Sequence, residues 1–225
     1  MARVGRRIRH RPGCRRIWTA VFTFFVAMAA FPAAADELGC GPRQMGDFGP
    51  FDYRDHSGDT IQKRRRIEKF HFFADVSGLN ETIGKQAIGS NLEFVLRYFP
   101  NHHRALQTLS RFAEKTGMPR PPGMSFDIEC WFARGEAMAP DDGMVPLLHG
   151  LYLLKKGNAK EAIDQFESAR AVGGESLNLY YNLGLAYFDL KRYGESREMA
   201  EKAYALGHPL PGLRNKLERV GQWKR

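Results

Sequence analysis

The chain lacks every short motif that would commit it to a familiar catalysis. It has no Gly-x-Ser-x-Gly turn, no glycine-rich phosphate loop, no His-Glu-x-x-His and no Cys-x-x-Cys. Their absence removes the usual signatures of serine hydrolases, phosphate-loop enzymes, zinc peptidases and dithiol oxidoreductases. Cysteine is scarce, with only Cys14, Cys40 and Cys130 in 225 residues. A chain of this length can bury a core without a dense disulfide framework. Net charge is also nearly absent beyond the N-terminus. Of 34 Lys+Arg residues, seven arginines (Arg3, Arg6, Arg7, Arg9, Arg11, Arg15 and Arg16) fall within residues 1–35, which hold no acid. That leaves 27 basic against 25 acidic residues over 36–225. Seven of the nine formal positive charges therefore belong to the N-terminus, and the near-neutral remainder predicts no nucleic-acid partner.

What is present begins with an export signal over residues 1–35. The arginine-rich start is followed by the uncharged apolar run Ile17 to Phe31 and then by Pro32-Ala33-Ala34-Ala35, small residues suited to cleavage before Asp36. The alternative is an inner-membrane anchor, because residues 17–35 are largely apolar and about 20 such residues span a bilayer. Pro32 and the alanines favour cleavage and a periplasmic product; membrane contact follows only if the signal stays as an anchor. After cleavage Cys40 and Cys130 remain. An even pair in an oxidising compartment predicts one disulfide, against the alternative of two separate buried thiols.

Residues 36–90 read as an irregular N-terminal arm. Its first half is rich in Gly, Pro, Asp and Arg without an apolar period, and Phe51 and Tyr53 are placed to pin it to a helical body. Lys63-Arg64-Arg65-Arg66 reads as a solvated basic run. Alternation of Phe70, Phe72 and Val76 with His71 and Asp75 predicts a short strand over 67–76. From Asn91 the period becomes helical, with Leu92, Val95, Leu96 and Phe99 on one face. Pro100 stops that helix, and Asn101 is placed to cap the next. The segment 117–123 is a loop, and Pro209-Leu210-Pro211 restarts the chain into a terminal helix within 211–225.

The strongest signal is self-similarity at a period of 34. Gly150 and Gly184, Ala169 and Ala203, and Phe132 and Phe166 are each 34 apart. Tyr180-x2-Leu183-Gly184-x2-Tyr187, Ala162-x3-Phe166, Gly157 in a turn and Pro140 at a closing position complete the pattern. In these residues the chain resembles the tetratricopeptide-repeat family. The resemblance implies an all-α superhelix over 91–210: two clear repeats (143–176 and 177–210), one modified repeat (about 103–142) with Gly135 for the usual alanine, and a polar capping helix. Further departures are His149 and Leu153 in the second repeat and Ser196 and Ala200 in the third. The whole chain is similar to small exported proteins of this family from Gram-negative bacteria, which carry no assigned reaction.

The family's geometry implies a concave binding face. Carried onto this sequence, it comprises Arg104, Gln107, Thr108 and Arg111 in the modified repeat and Leu147, Leu148, Leu151 and Leu154 in the next. In the last repeat it comprises Asn178, Tyr181, Asn182, Leu185 and Phe188. The function so implied is a non-catalytic scaffold holding an extended peptide or partner protein in the envelope, with no cofactor and no metal. An accessory subunit of an envelope enzyme or transporter is the alternative. An enzyme built on His71, His102 or His103 is a distant third: adjacent helical residues such as His102 and His103 do not share a face, so they read as exposed first-turn imidazoles. Asp141-Asp142 reads as a cap, His149 as a packed core histidine, and the arm itself as a candidate to fill the groove.

Overall fold

The computed structural model describes Cys40 and residues 49–223; the export signal expected over 1–35 lies outside them. Residues 49–57 carry no helix and are followed by α1 (Gly58–His71), α2 (Ala74–Ser77), a 3-10 turn at Glu81–Ile83 and α3 (Lys85–Tyr98). The strand expected over 67–76 is therefore helix, and among the described residues there is no strand at all. The apolar residues in that stretch that are buried, Ile67, Phe72 and Val76, recur at intervals of four or five, while Phe70 and Phe73 face solvent. The alternation reflects which residues are aromatic, and it fails to report which are buried. The arm is correspondingly more regular than expected up to residue 90, and α1 packs against α3.

Pro100 ends α3, and the next pair is α4 (His103–Thr116) and α5 (Ile128–Met138), separated by the loop expected around 117–123. Then come α6 (Met144–Lys155) with α7 (Ala159–Gly173), α8 (Leu177–Asp189) with α9 (Tyr193–Ala205), and the terminal α10 (Gly212–Arg219). Gly157 adopts φ 83° in the turn between α6 and α7, a left-handed conformation that a side chain would resist. In the pairs α6–α7 and α8–α9 the first helix crosses the second at a glycine. A Cβ on Gly150 would stand 2.5 Å from the Phe166 ring and 3.1 Å from the Ala162 carbonyl. One on Gly184 would meet Leu213 at 2.4 Å and the Ser196 carbonyl at 3.3 Å. These close approaches are what the 34-residue spacing preserves, and Phe132, Phe166, Tyr180 and Leu183 fill the space beside them as buried core. The departure at Ser196 is accommodated because its hydroxyl donates to the Gly184 carbonyl at 2.8 Å, so no buried polar atom is left without a partner there.

First helices stack on first helices along the array, α4 on α6 and α6 on α8, and α10 closes the end against α8 and α9. Leu213 and Leu217 of α10 are fully buried with Ala200, while its other positions are charged or exposed. This gives the cap one apolar side and one wet side.

The irregular segment before α1 is fixed to the start of the array by a polar clasp. Asn101, fully buried, accepts from the Tyr53 amide at 2.8 Å and donates to Asp52 at 2.7 Å and Asp142 at 3.0 Å. Arg54 donates to Asp52 and to Asp141, each at 2.7 Å. Burial opposes ionisation of Asp52, but hydrogen bonds from Arg54 and Asn101 bring its pKa down to about 2. Asn101 thus serves as a bridge, and the capping role expected for it passes to His102. The pair Cys40–Cys130 is a disulfide with Cα atoms 5.3 Å apart, joining the N-terminal segment to α5.

Candidate functional site

His102 and His103, expected as exposed first-turn imidazoles, are each bonded to a different carboxylate. His102 is fully buried. Its Nδ1 accepts from the Ala105 amide at 3.1 Å, so the ring proton sits on Nε2 and donates to Glu68 at 3.1 Å. Tyr53 stacks over it with ring centroids 4.2 Å apart. Burial depresses its pKa despite the Glu68 bond, which agrees with a neutral capping imidazole. His103 donates instead to Asp142 at 2.8 Å. Asp142 also accepts from the Met144 amide at 3.1 Å, so it meets the first turn of α6 from one residue ahead of the N-cap, which is Gly143 and not the expected Asp141-Asp142 pair. His71 lies elsewhere, with Nδ1 2.8 Å from the Asn91 side-chain oxygen. Among the described residues no three His, Cys, Asp or Glu side chains gather where they could hold a metal ion.

His149 is the departure in the second repeat that was expected to pack in the core. It is buried and stacked on Phe132 with centroids 4.5 Å apart. Burial alone would lower its pKa, but Nε2 donates to Glu129 at 2.6 Å and Nδ1 to Glu136 at 3.2 Å, and together they raise it to about 9. Both ring nitrogens donate, so the folded protein holds an imidazolium. The consequence for stability has a definite sign. A folded-state pKa above the unfolded one of about 6.5 gives a contribution fully present below pH 6.5 and lost as pH rises through about 9. Stability should fall between pH 6.5 and 9, by no more than about 3 kcal/mol and reduced by the exposure of both carboxylates, and the melting temperature should fall with it. His149→Leu should flatten that fall. A wild-type profile already flat over this range would remove the imidazolium.

The concave residues divide into two groups. Gln107 and Arg111 on α4 face Leu148 and Leu151 on α6 across a shallow depression of about 220 Å³. Ser110, Glu114, Tyr152 and Lys155 complete it. The sequence reading missed these four, although they lie three or four residues from those it named and so on the same helical faces. The floor is apolar, formed by Leu148, Leu151 and the buried Tyr152. Lys155 bridges the rim to Glu114 at 3.1 Å, whereas Gln107 and Arg111 are exposed and unpaired among the described residues. A second depression, lined by Ala113, Gly117, Met118, Pro119 and Lys156, continues from the shared Glu114 and Tyr152. No residue of 49–66 lines either one; the described part of the arm docks at Asn101–His103 instead.

The remaining concave candidates lie elsewhere. Arg104 stands over the Phe72 ring at 5.2 Å, Thr108 is buried, and Leu147 and Leu154 are half-buried against the core. On α8, Tyr181, Leu185 and Phe188 pack beneath α10, and Tyr181 stacks on His208 with centroids 3.9 Å apart. Asn182 donates to the carbonyl of Asn178 in its own helix at 2.7 Å. The last first-helix is thus covered by the cap, and the open groove belongs to α4 and α6.

Antiparallel helical pairs crossing at glycine, stacked through their first helices and closed by a half-polar helix, define a helical-repeat array with one open face. Residues 147–211, from within α6 to just past α9, match the family model of the tetratricopeptide repeat. Repeats of this family generally mediate protein–protein interaction and are typically non-catalytic. Neither curated proteins nor solved structures yield a match.

Proposed function

We propose that the chain is an exported, non-catalytic scaffold whose α4–α6 groove holds an extended segment of a partner polypeptide in the cell envelope. The observation that carries this reading is the groove itself. An apolar strip of Leu148, Leu151 and Tyr152 lies beside two exposed groups, Gln107 and Arg111, that have no partner among the described residues. Gln107 offers donor and acceptor together, as a peptide backbone requires, and the leucines offer burial to an apolar side chain. Export is the reading of residues 1–35, and the mature chain should begin at Asp36.

The test is retention of envelope proteins by the chain recovered from the periplasm, with its first residue determined at the same time. Arg111→Ala with Leu151→Ala should weaken retention at least tenfold, as truncating a central contact does. Helicity and melting should change little, since one residue is exposed and the other only half-buried. Undiminished retention by the folded double variant would move the site away from this groove.

A further inference from the structure

The largest cavity described, about 440 Å³, is not in the repeat array but between α1 and α3, beneath the irregular segment. Its volume lies within the range of small-molecule sites, and its lining is mostly aromatic. Phe94 and Tyr98 of α3 stand with ring centroids 5.0 Å apart. Phe51 is held against them by its amide donating to the Tyr98 carbonyl at 2.8 Å. Across the opening, Lys63, Arg66 and Phe70 recur at i, i+3 and i+7 on one face of α1. Phe70 is 60% exposed, with only the Lys69 ammonium 5.5 Å from its ring centre as a cation–π contact.

The charge at this opening has one sign. The lining holds Lys63 and Arg66 and no carboxylate. Lys63 is paired with Asp59 at 2.7 Å and sits 4.4 Å from the centre of the Phe51 ring, so its charge is partly spent. Arg66 is exposed and has no ion pair among the described residues. An aromatic hollow with an uncompensated guanidinium at its mouth is complementary to an apolar body carrying one anionic group. From this juxtaposition we infer that the α1–α3 cavity binds a monomeric anionic amphiphile, its tail among Phe51, Phe70, Phe94 and Tyr98 and its carboxylate or phosphate head on Arg66 with Lys63 beside it. The site is separate from the peptide groove, and its test does not depend on that reading.

The probe is dodecanoate below its micellar concentration, titrated calorimetrically into the full exported chain, with dodecanol and acetate as controls. Dodecanoate should bind, acetate should not, and dodecanol should bind at least tenfold more weakly. Arg66→Gln should weaken dodecanoate binding at least tenfold and leave dodecanol unchanged. Phe70→Ala, also a surface substitution, should weaken both. Equal binding of dodecanoate and dodecanol, or an Arg66→Gln variant with unaltered affinity, would overturn the assignment of the head group. Association with anionic vesicles but not with monomeric dodecanoate would overturn the cavity site in favour of surface docking on a bilayer.

Discussion

Replacing Cys40 and Cys130 together by alanine should lower the stability of the chain by about 2–5 kcal/mol. The bond spans a sequence separation of 90, so it removes a large share of the conformational freedom of the unfolded chain. It also keeps the Cys40 carbonyl where Arg134 donates to it at 3.3 Å, and both sulfurs lie in a buried cluster with Ala133. Denaturant titration with and without reductant measures the effect directly. The native chain should show a lower midpoint when reduced, and the double variant should show the same midpoint in both conditions. Alkylation without reductant should label neither Cys40 nor Cys130 in the native protein. Labelling of both, or a midpoint indifferent to reductant, would mean that the bridge does not form.

The second large effect is expected at a helix crossing. Gly150→Ala places a methyl group 2.5 Å from the ring of Phe166, which is fully buried and cannot swing aside. Overpacking of this kind costs about 1–3 kcal/mol, from which alanine's better helix propensity returns up to about 1 kcal/mol. Gly184→Ala is a close control. Its nearest neighbour is the tip of the Leu213 side chain, which can rotate, and its nearest backbone atom is 3.3 Å away. Thermal melting should rank Gly150→Ala well below Gly184→Ala. A reversed order would mean that α6 and α7 can separate more easily than α10 can yield. Gly184→Leu exceeds what a rotation can absorb and should dislodge α10.

These crossings were legible in the sequence because a close approach of two helices tolerates little beyond glycine, and that intolerance recurs after 34 residues at Gly150 and Gly184. The helix α1 was not legible for the opposite reason. Only Thr60 and Ile67 of its fourteen residues are buried, so its basic, polar sequence carries almost no apolar period. The clasp around Asn101 left no trace either, because it joins residues 41 to 49 positions apart through polar atoms with no repeat between them. The concave face was legible in α4 and α6, where the family's positions meet across the groove. It was misleading in α8, where Tyr181, Leu185 and Phe188 have the same composition as a binding surface but serve as the seat of α10. Composition alone does not distinguish a surface awaiting a partner from one already covered by the chain's own end.

That seating fixes the length of what can be read. With α8 closed, a segment bound in the α4–α6 depression lies along the strip from Gln107 to Glu114 of α4, about 10 Å at 1.5 Å per residue. An extended chain advances about 3.3 Å per residue, so the strip reads roughly three side chains. A vocabulary of three letters recurs in many proteins, and a contact that short dissociates readily. On the proposed reading, specificity would rest on those few side chains alone.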